Sequence, residues 1–271
     1  MKKYIFPALI AVFAVVFLIS SAVVLEYVIE SKKQRDQYND LSDIVEQIKQ
    51  EQLGANQGSS GDANTGILST EDVRHPLTGE YIKVLREYVP ILERNSDLVG
   101  WLKIPGTRID FPVLQTPNSP NFYLTRDFYK KNSRHGAIYV CELADVNAPS
   151  DNVTIYGHKM ADGSMFSDLF KYMKKDFYLE HSQIIFDTLS ERHTYEIVAV
   201  FLTTADEDGF GYHRYVDGDE AQFDDYIATC KELSLYETGV TAQYGDKLIT
   251  LSTCYLGTDD GRFVVVAKRI T

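Results

Sequence analysis

Cys254, Arg262 and His158 have the residue types and spacing that thiol-dependent acyl chemistry requires. The run DKLITLSTC ends in Cys254, GRFVVVAKRI carries Arg262 near its start, and Tyr255 to Gly261 join the two. Both runs are rich in β-branched residues and bounded by turn formers, which reads as two strands. Paired as an antiparallel hairpin, they set Cys254 and Arg262 nearly opposite each other at the open end. His158 follows NVTIY, where Gly157 breaks a third strand.

A cysteine nucleophile acts as its thiolate, and a partner histidine holds the proton and returns it to a leaving amine. With ordinary pKa values of about 8.5 and 6.5, the thiolate–imidazolium pair lies roughly 2.7 kcal/mol above the neutral pair. A guanidinium in the same pocket narrows that gap or stabilises a tetrahedral oxyanion, a task that suits arginine better than lysine. Taken alone, a cysteine at a strand end is more often a small buried hydrophobe. Cys254 differs because its strand gives way there to a polar loop. Cys141 lies inside AIYVCEL and Cys230 on the apolar face of a helix, so both read as core.

Other candidates fall away. Three cysteines without a C-x-x-C pair provide neither a disulfide scaffold nor the ligand spacing of a structural zinc site. His75, His135, His181, His193 and His213 show no ligand-like spacing and read as surface or structural histidines. The acidic groups Asp206, Glu207, Asp208 and Asp217, Asp219, Glu220 lack the order of a calcium loop and read as solvated charge. A net charge of -12 repels phosphate backbones, so nucleic acid is not an expected partner.

The elements that must position the three residues are mostly strands. VGWLKI, DFPVLQ, GAIYVCEL, NVTIYG, SQIIFDT, TYEIVAVFLT, DKLITLST and RFVVVAKRI recur between Gly, Pro, Asn and Asp, as in a barrel or a sandwich. Helical insertions are expected at Ser164 to Tyr172 and Glu220 to Tyr236, the second with Phe223, Tyr226, Ile227, Cys230 and Leu233 on one face. Ile82, Leu85, Val89 and Leu92 further predict an amphipathic helix over Tyr81 to Asn95, which Pro90 kinks or splits.

Upstream, the chain is built differently. No charge interrupts Ile5 to Leu25, enough for a helix to cross a bilayer core of roughly 30 Å. Lys2 and Lys3 keep the amino end inside, although Lys32, Lys33 and Arg35 weaken that bias. The alternative is a signal peptide cleaved near Ser20 and Ala22, but the apolar run continues past them. Leu41, Ile44, Val45 and Ile48 mark one stripe of a stalk helix, and the linker Gly54 to Gly66 has no apolar periodicity. The expected division is an uncleaved anchor at 1–30, a stalk and linker at 31–66, and a folded extracellular domain at 67–271.

Four stretches, in order, resemble the sortase family and class B sortases in particular: NSDLVGWLKIPGTRIDFPVLQ, YLTRDFYKKNSRHGAIYV, NVTIYGHKMADGSMFSDLFKY, and KLITLSTC followed by GRFVVVAKRI. The resemblance implies a mostly β fold, a closed eight-stranded barrel with N-terminal helices and a helix inserted before the penultimate strand. It implies that Cys254 is the nucleophile, His158 the general acid and base, and Arg262 the electrophilic clamp. It also implies that the Tyr255 N–H serves the oxyanion hole and that Ser252 lines the peptide groove. Some family members carry an acid two positions after the nucleophile; here that position is Leu256.

The implied activity is that of a membrane-anchored cysteine transpeptidase on the outer face of a Gram-positive cell. It would cleave surface proteins after the Thr of an Asn-Pro-x-Thr type of C-terminal sorting signal and pass them to a cell-wall precursor amine or a pilin lysine. Neither metal nor organic cofactor is implied. The competing readings are a cysteine endopeptidase that hydrolyses the thioester and a non-catalytic, membrane-anchored binding barrel.

Overall fold

The structure is a computed structural model that describes residues 2–57, 69–206, 209–255, 257–258 and 260–271. The chain forms two compact units, Met1–Asn39 and Asp40–Thr271. The first consists of the helix α1 (Lys2–Gln57) as far as Asn39. Within α1, Val12–Gly54 includes a stretch of mean hydropathy 2.5, long and apolar enough to cross a membrane. In the second unit, Leu41 and Val45 of the expected stripe are buried, and α1 runs on past Gly54 to Gln57. The rest of the expected linker, residues 58–66, and the expected domain start at Ile67 lie outside the described residues, as do Glu207, Asp208 and Leu256.

The helix expected over Tyr81 to Asn95 is corrected. Strands β1 (Thr70–Arg74) and β2 (Tyr81–Leu85) form an antiparallel hairpin, followed by a 3-10 turn at Arg86–Tyr88 and a short helix α2 (Val89–Arg94). Pairing with β1 supplies backbone partners that the sequence window does not contain, and Pro90 occupies the first turn of α2, where its missing N–H costs nothing.

Each of the eight expected strand runs becomes a barrel strand. They are β3 (Leu98–Lys103), β4 (Asp110–Leu114), β5 (Ile138–Val140), β6 (Asn152–Tyr156), β7 (Gln183–Thr188), β8 (Thr194–Thr204), β9 (Leu248–Cys254) and β10 (Gly261–Arg269). The barrel closes in the order β10-β8-β7-β3-β4-β5-β6-β9, with β4·β5 and β6·β9 parallel and the other pairs antiparallel. Between β6 and β7 lie a 3-10 helix (Phe166–Met173) and α3 (Lys175–Glu180); α4 (Glu220–Leu233) precedes β9, the penultimate strand.

Strand β10 is buried on both faces from Phe263 to Ala267 because α4 covers its outer side. Phe223, Tyr226, Ile227 and Cys230 of α4 pack with Val264 and Val266 of β10 and Val198 and Phe201 of β8. A reciprocal capping box between Asp219 and Gln222 starts α4. Cys230 is therefore a core thiol, and burial pushes its pKa far up.

Candidate active site

Register brings the candidate residues to one rim. Cys254 at the end of β9 is paired directly with Arg262 at the start of β10. Strand β6 runs parallel to β9 with Tyr156 beside Ser252, so His158, just past the end of β6, arrives at the same end of the barrel. Closure matters here, since β9 holds β10 on one edge and β6 on the other.

Cys254, His158, Arg262 and Ser252 line one cleft of about 520 Å³, together with Tyr139 and Tyr212. The thiol of Cys254 titrates below its ordinary value. A hydrogen bond with His158 lowers it most, and the charges of Arg262 and of the imidazolium add to this against burial and Asp260. The hydrogen bond with Cys254 in turn raises the pKa of His158, burial opposes it, and the Leu124 carbonyl raises it again. That carbonyl accepts from Nε2 of His158 at 2.7 Å. A backbone oxygen thus occupies the place that an acid takes in many catalytic pairs.

Arg262 Nη1 donates to the carbonyls of Asp260 at 3.1 Å and Gly261 at 2.9 Å. Two backbone oxygens thus orient the guanidinium, which keeps further N–H donors. The Ser252 hydroxyl is buried and bonded to the Tyr212 hydroxyl at 2.7 Å, holding that ring at the cleft wall. The Tyr255 N–H, expected as an oxyanion donor, instead donates to the Gly261 carbonyl at 2.8 Å. This bond continues the β9·β10 ladder one residue past Cys254, so in this conformation that donor is engaged.

His213, which its sequence context marks as a surface or structural histidine, forms a wall of the cleft. Its ring lies edge-on to Tyr212, with centroids 5.3 Å apart. Burial lowers its pKa most, followed by the charges of Arg214 and Arg262. No spacing from Cys254 or His158 marks it in the chain; a turn between β8 and α4 carries it there. Cys141 also lines the cleft although it is buried, and burial raises its pKa.

The chain is similar in sequence and in fold to known proteins. The family model described as Sortase domain matches residues 102–270. Sortase B of Listeria monocytogenes is 36% identical over 198 residues, covering 72% of this chain and 77% of that protein. Sortase B of Staphylococcus aureus is 32% identical over 179 residues, covering 65% of this chain and 71% of that protein. Among solved structures, a Staphylococcus aureus sortase B–substrate complex superposes with a TM-score of 0.71 at 26% identity, covering 90% of this chain and 99% of that one. A sortase B structure from Listeria monocytogenes gives a TM-score of 0.58 at 36% identity, covering 66% and 97%.

Proposed function

This chain belongs to the sortase family of transpeptidases, within class B, and from that premise we propose that it is a membrane-anchored cysteine transpeptidase acting on sorting signals of the Asn-Pro-x-Thr type. The observation that carries the reading is the convergence of a thiol of lowered pKa, an imidazole of raised pKa and a guanidinium at one rim of the barrel.

The Cys254 thiolate attacks the carbonyl carbon of the signal's Thr. Negative charge develops on the carbonyl oxygen, where a permanently charged donor stabilises the transition state more than the ground state; this is the task of Arg262. Collapse breaks the C–N bond, and His158 delivers its proton to the departing amine, leaving a thioester on Cys254. An incoming amine attacks the thioester, His158 accepts its proton, and the thiolate is expelled. The acyl group is thereby joined to the new amine with the thiolate–imidazolium pair restored. Ser252 and Tyr212 line the groove for the signal. The acceptor is a cell-wall precursor amine or a pilin lysine, and the apolar part of α1 holds the domain at the outer face of the membrane.

The test incubates the full-length protein in detergent with peptides carrying Asn-Pro-x-Thr or Leu-Pro-x-Thr, with and without an added amine such as triglycine, followed by mass spectrometry. The expected result is cleavage after Thr, an acyl adduct on Cys254, and transfer to the amine, all absent in Cys254→Ala. Hydrolysis alone with every amine offered would favour an endopeptidase. Absence of any adduct from folded protein would overturn the reading.

A further inference from the structure

We propose that Gly136 is a positioning residue for His158. By keeping side-chain atoms out of the space between the Leu124 carbonyl and the imidazole, it preserves the backbone hydrogen bond that serves this site in place of an orienting acid. The proposal rests on the catalytic role of His158 given above.

Backbone hydrogen bonds fix the chain on both sides of this contact. The chain turns through Phe122–Leu124, a 3-10 segment entered from Asn121, whose φ of 58° is left-handed. The Leu124 N–H donates to Asn121 O at 3.0 Å and the Ala137 N–H to Tyr123 O at 2.9 Å, tying this turn to the start of β5. The backbone around His158 is fixed as well, because Gly157 N–H donates to Ser252 O at 3.2 Å and Phe166 N–H to His158 O at 2.9 Å. The remaining freedom is the rotation of the ring, which the bond from Nε2 to Leu124 O, at 2.7 Å, restrains.

Gly136 lies against both partners of that bond. A Cβ at residue 136 would stand 2.7 Å from Leu124 O, 2.7 Å from Tyr123 O and 3.0 Å from Cδ2 of His158. Two of the three are backbone oxygens that cannot rotate away, so either the turn moves off or the ring swings out. Each outcome lengthens the Nε2 bond. Its φ of +59° favours glycine separately, so backbone strain and the clash must be told apart.

Gly239 provides the control. Its φ of +79° is also left-handed, yet a Cβ there meets nothing within 4 Å. Gly136→Ala and Gly239→Ala are compared in the full-length protein by thermal melting, signal-peptide turnover and the pH profile of Cys254 alkylation by iodoacetamide. For folded Gly136→Ala, kcat should fall by about 10²-fold with KM nearly unchanged, the scale of a misplaced catalytic group. Its alkylation profile should move to higher pH, because an imidazole without its carbonyl partner is less basic and holds the thiolate less well. Gly239→Ala should match wild type in both.

A measurement on the unaltered protein guards against misfolding of the variant. Nitrogen-15 NMR should show the His158 Nε2 proton protected from solvent exchange. Folded Gly136→Ala with unchanged kcat and alkylation profile, or an unprotected Nε2 proton in wild type, overturns the proposal. The alkylation and NMR readings need no peptide, so a failure of the transpeptidase reading itself would show separately, as wild type without turnover.

Discussion

The chemistry of this site is set by mutual shifts of a thiol and an imidazole. Cys254 is lowered chiefly by its hydrogen bond with His158, and His158 is raised chiefly by the same bond. The active form needs the thiol ionised and the imidazole protonated at once, and the mutual shifts bring the two titrations toward each other, so kcat/KM should be bell-shaped. A pH profile lacking the alkaline limb would argue against a working imidazolium. At neutral pH, iodoacetamide should label Cys254 at least about tenfold faster than Cys141 or Cys230, whose thiols burial raises; peptide mapping of the labelled protein reads this directly. Arg262→Lys should fold normally yet lose roughly 10²-fold in kcat/KM, since charge is retained while planar donation is not. Unimpaired turnover in that variant would remove the clamp from the mechanism. The Cys254–Arg262 pairing could be anticipated because both residues close one hairpin. The role of Leu124 could not, because a backbone carbonyl has no residue-type signature.

Between residue and barrel, elements act as carriers. The 3-10 helix Phe166–Met173, which follows the His158 loop, is tied to the turn between β3 and β4 through Asp168. That carboxylate accepts from Arg108 Nη2 at 2.7 Å, from the Arg108 backbone N–H at 2.9 Å and from Lys171 Nζ at 3.1 Å. Burial opposes its ionisation, but these donors prevail and hold it at about 2 against an ordinary 3.8. A carboxylate with a lowered folded pKa stabilises the fold above its unfolded pKa and ceases to do so as pH falls through the folded value. Asp168→Asn should therefore cost roughly 2 kcal/mol near neutrality and progressively less from about pH 4 to pH 2, read by urea denaturation. Equal cost at both ends would show that packing, not charge, holds this helix. Helix α4 makes a different contribution, covering β8 and β10 with apolar side chains. Phe223→Ala should cost roughly 3 to 5 kcal/mol by removing a fully buried ring. Turnover per folded molecule should be retained, because α4 contributes no group to the cleft.

For the whole molecule, the decisive contrast is between an exposed apolar helix and an acidic folded unit. The chain carries a net charge of -12, while the apolar part of α1 is long enough to cross a bilayer. Attachment should therefore be hydrophobic: in cell fractions the protein should stay with membranes through high-salt and alkaline carbonate washes, which remove proteins held by charge. Mass spectrometry of that fraction should find the segment before Ala22 still attached. A mature chain beginning just after Ala22 and recovered in the soluble fraction would replace the anchor with a cleaved signal.

Strand positions, the buried thiols Cys141 and Cys230, and the Cys254–Arg262 pair were all readable along the chain. Each depends on local alternation, burial or a single turn, and these are written in consecutive residues. The Tyr81–Leu85 strand was not, because its backbone partners lie in Thr70–Arg74, and an apolar spacing of three and four suits a helix equally well. Nor was the approach of His158 to Cys254 derivable from spacing, since β6 and β9 become parallel neighbours only once the barrel closes. Long-range packing likewise brings His213 into the cleft and sets Gly136 against the imidazole, whereas the Tyr255 N–H is engaged locally, within the β9–β10 hairpin. Local pattern specifies which face of a strand is buried; which strands meet, and so which functional groups share a pocket, follows from long-range pairing that no window of sequence contains.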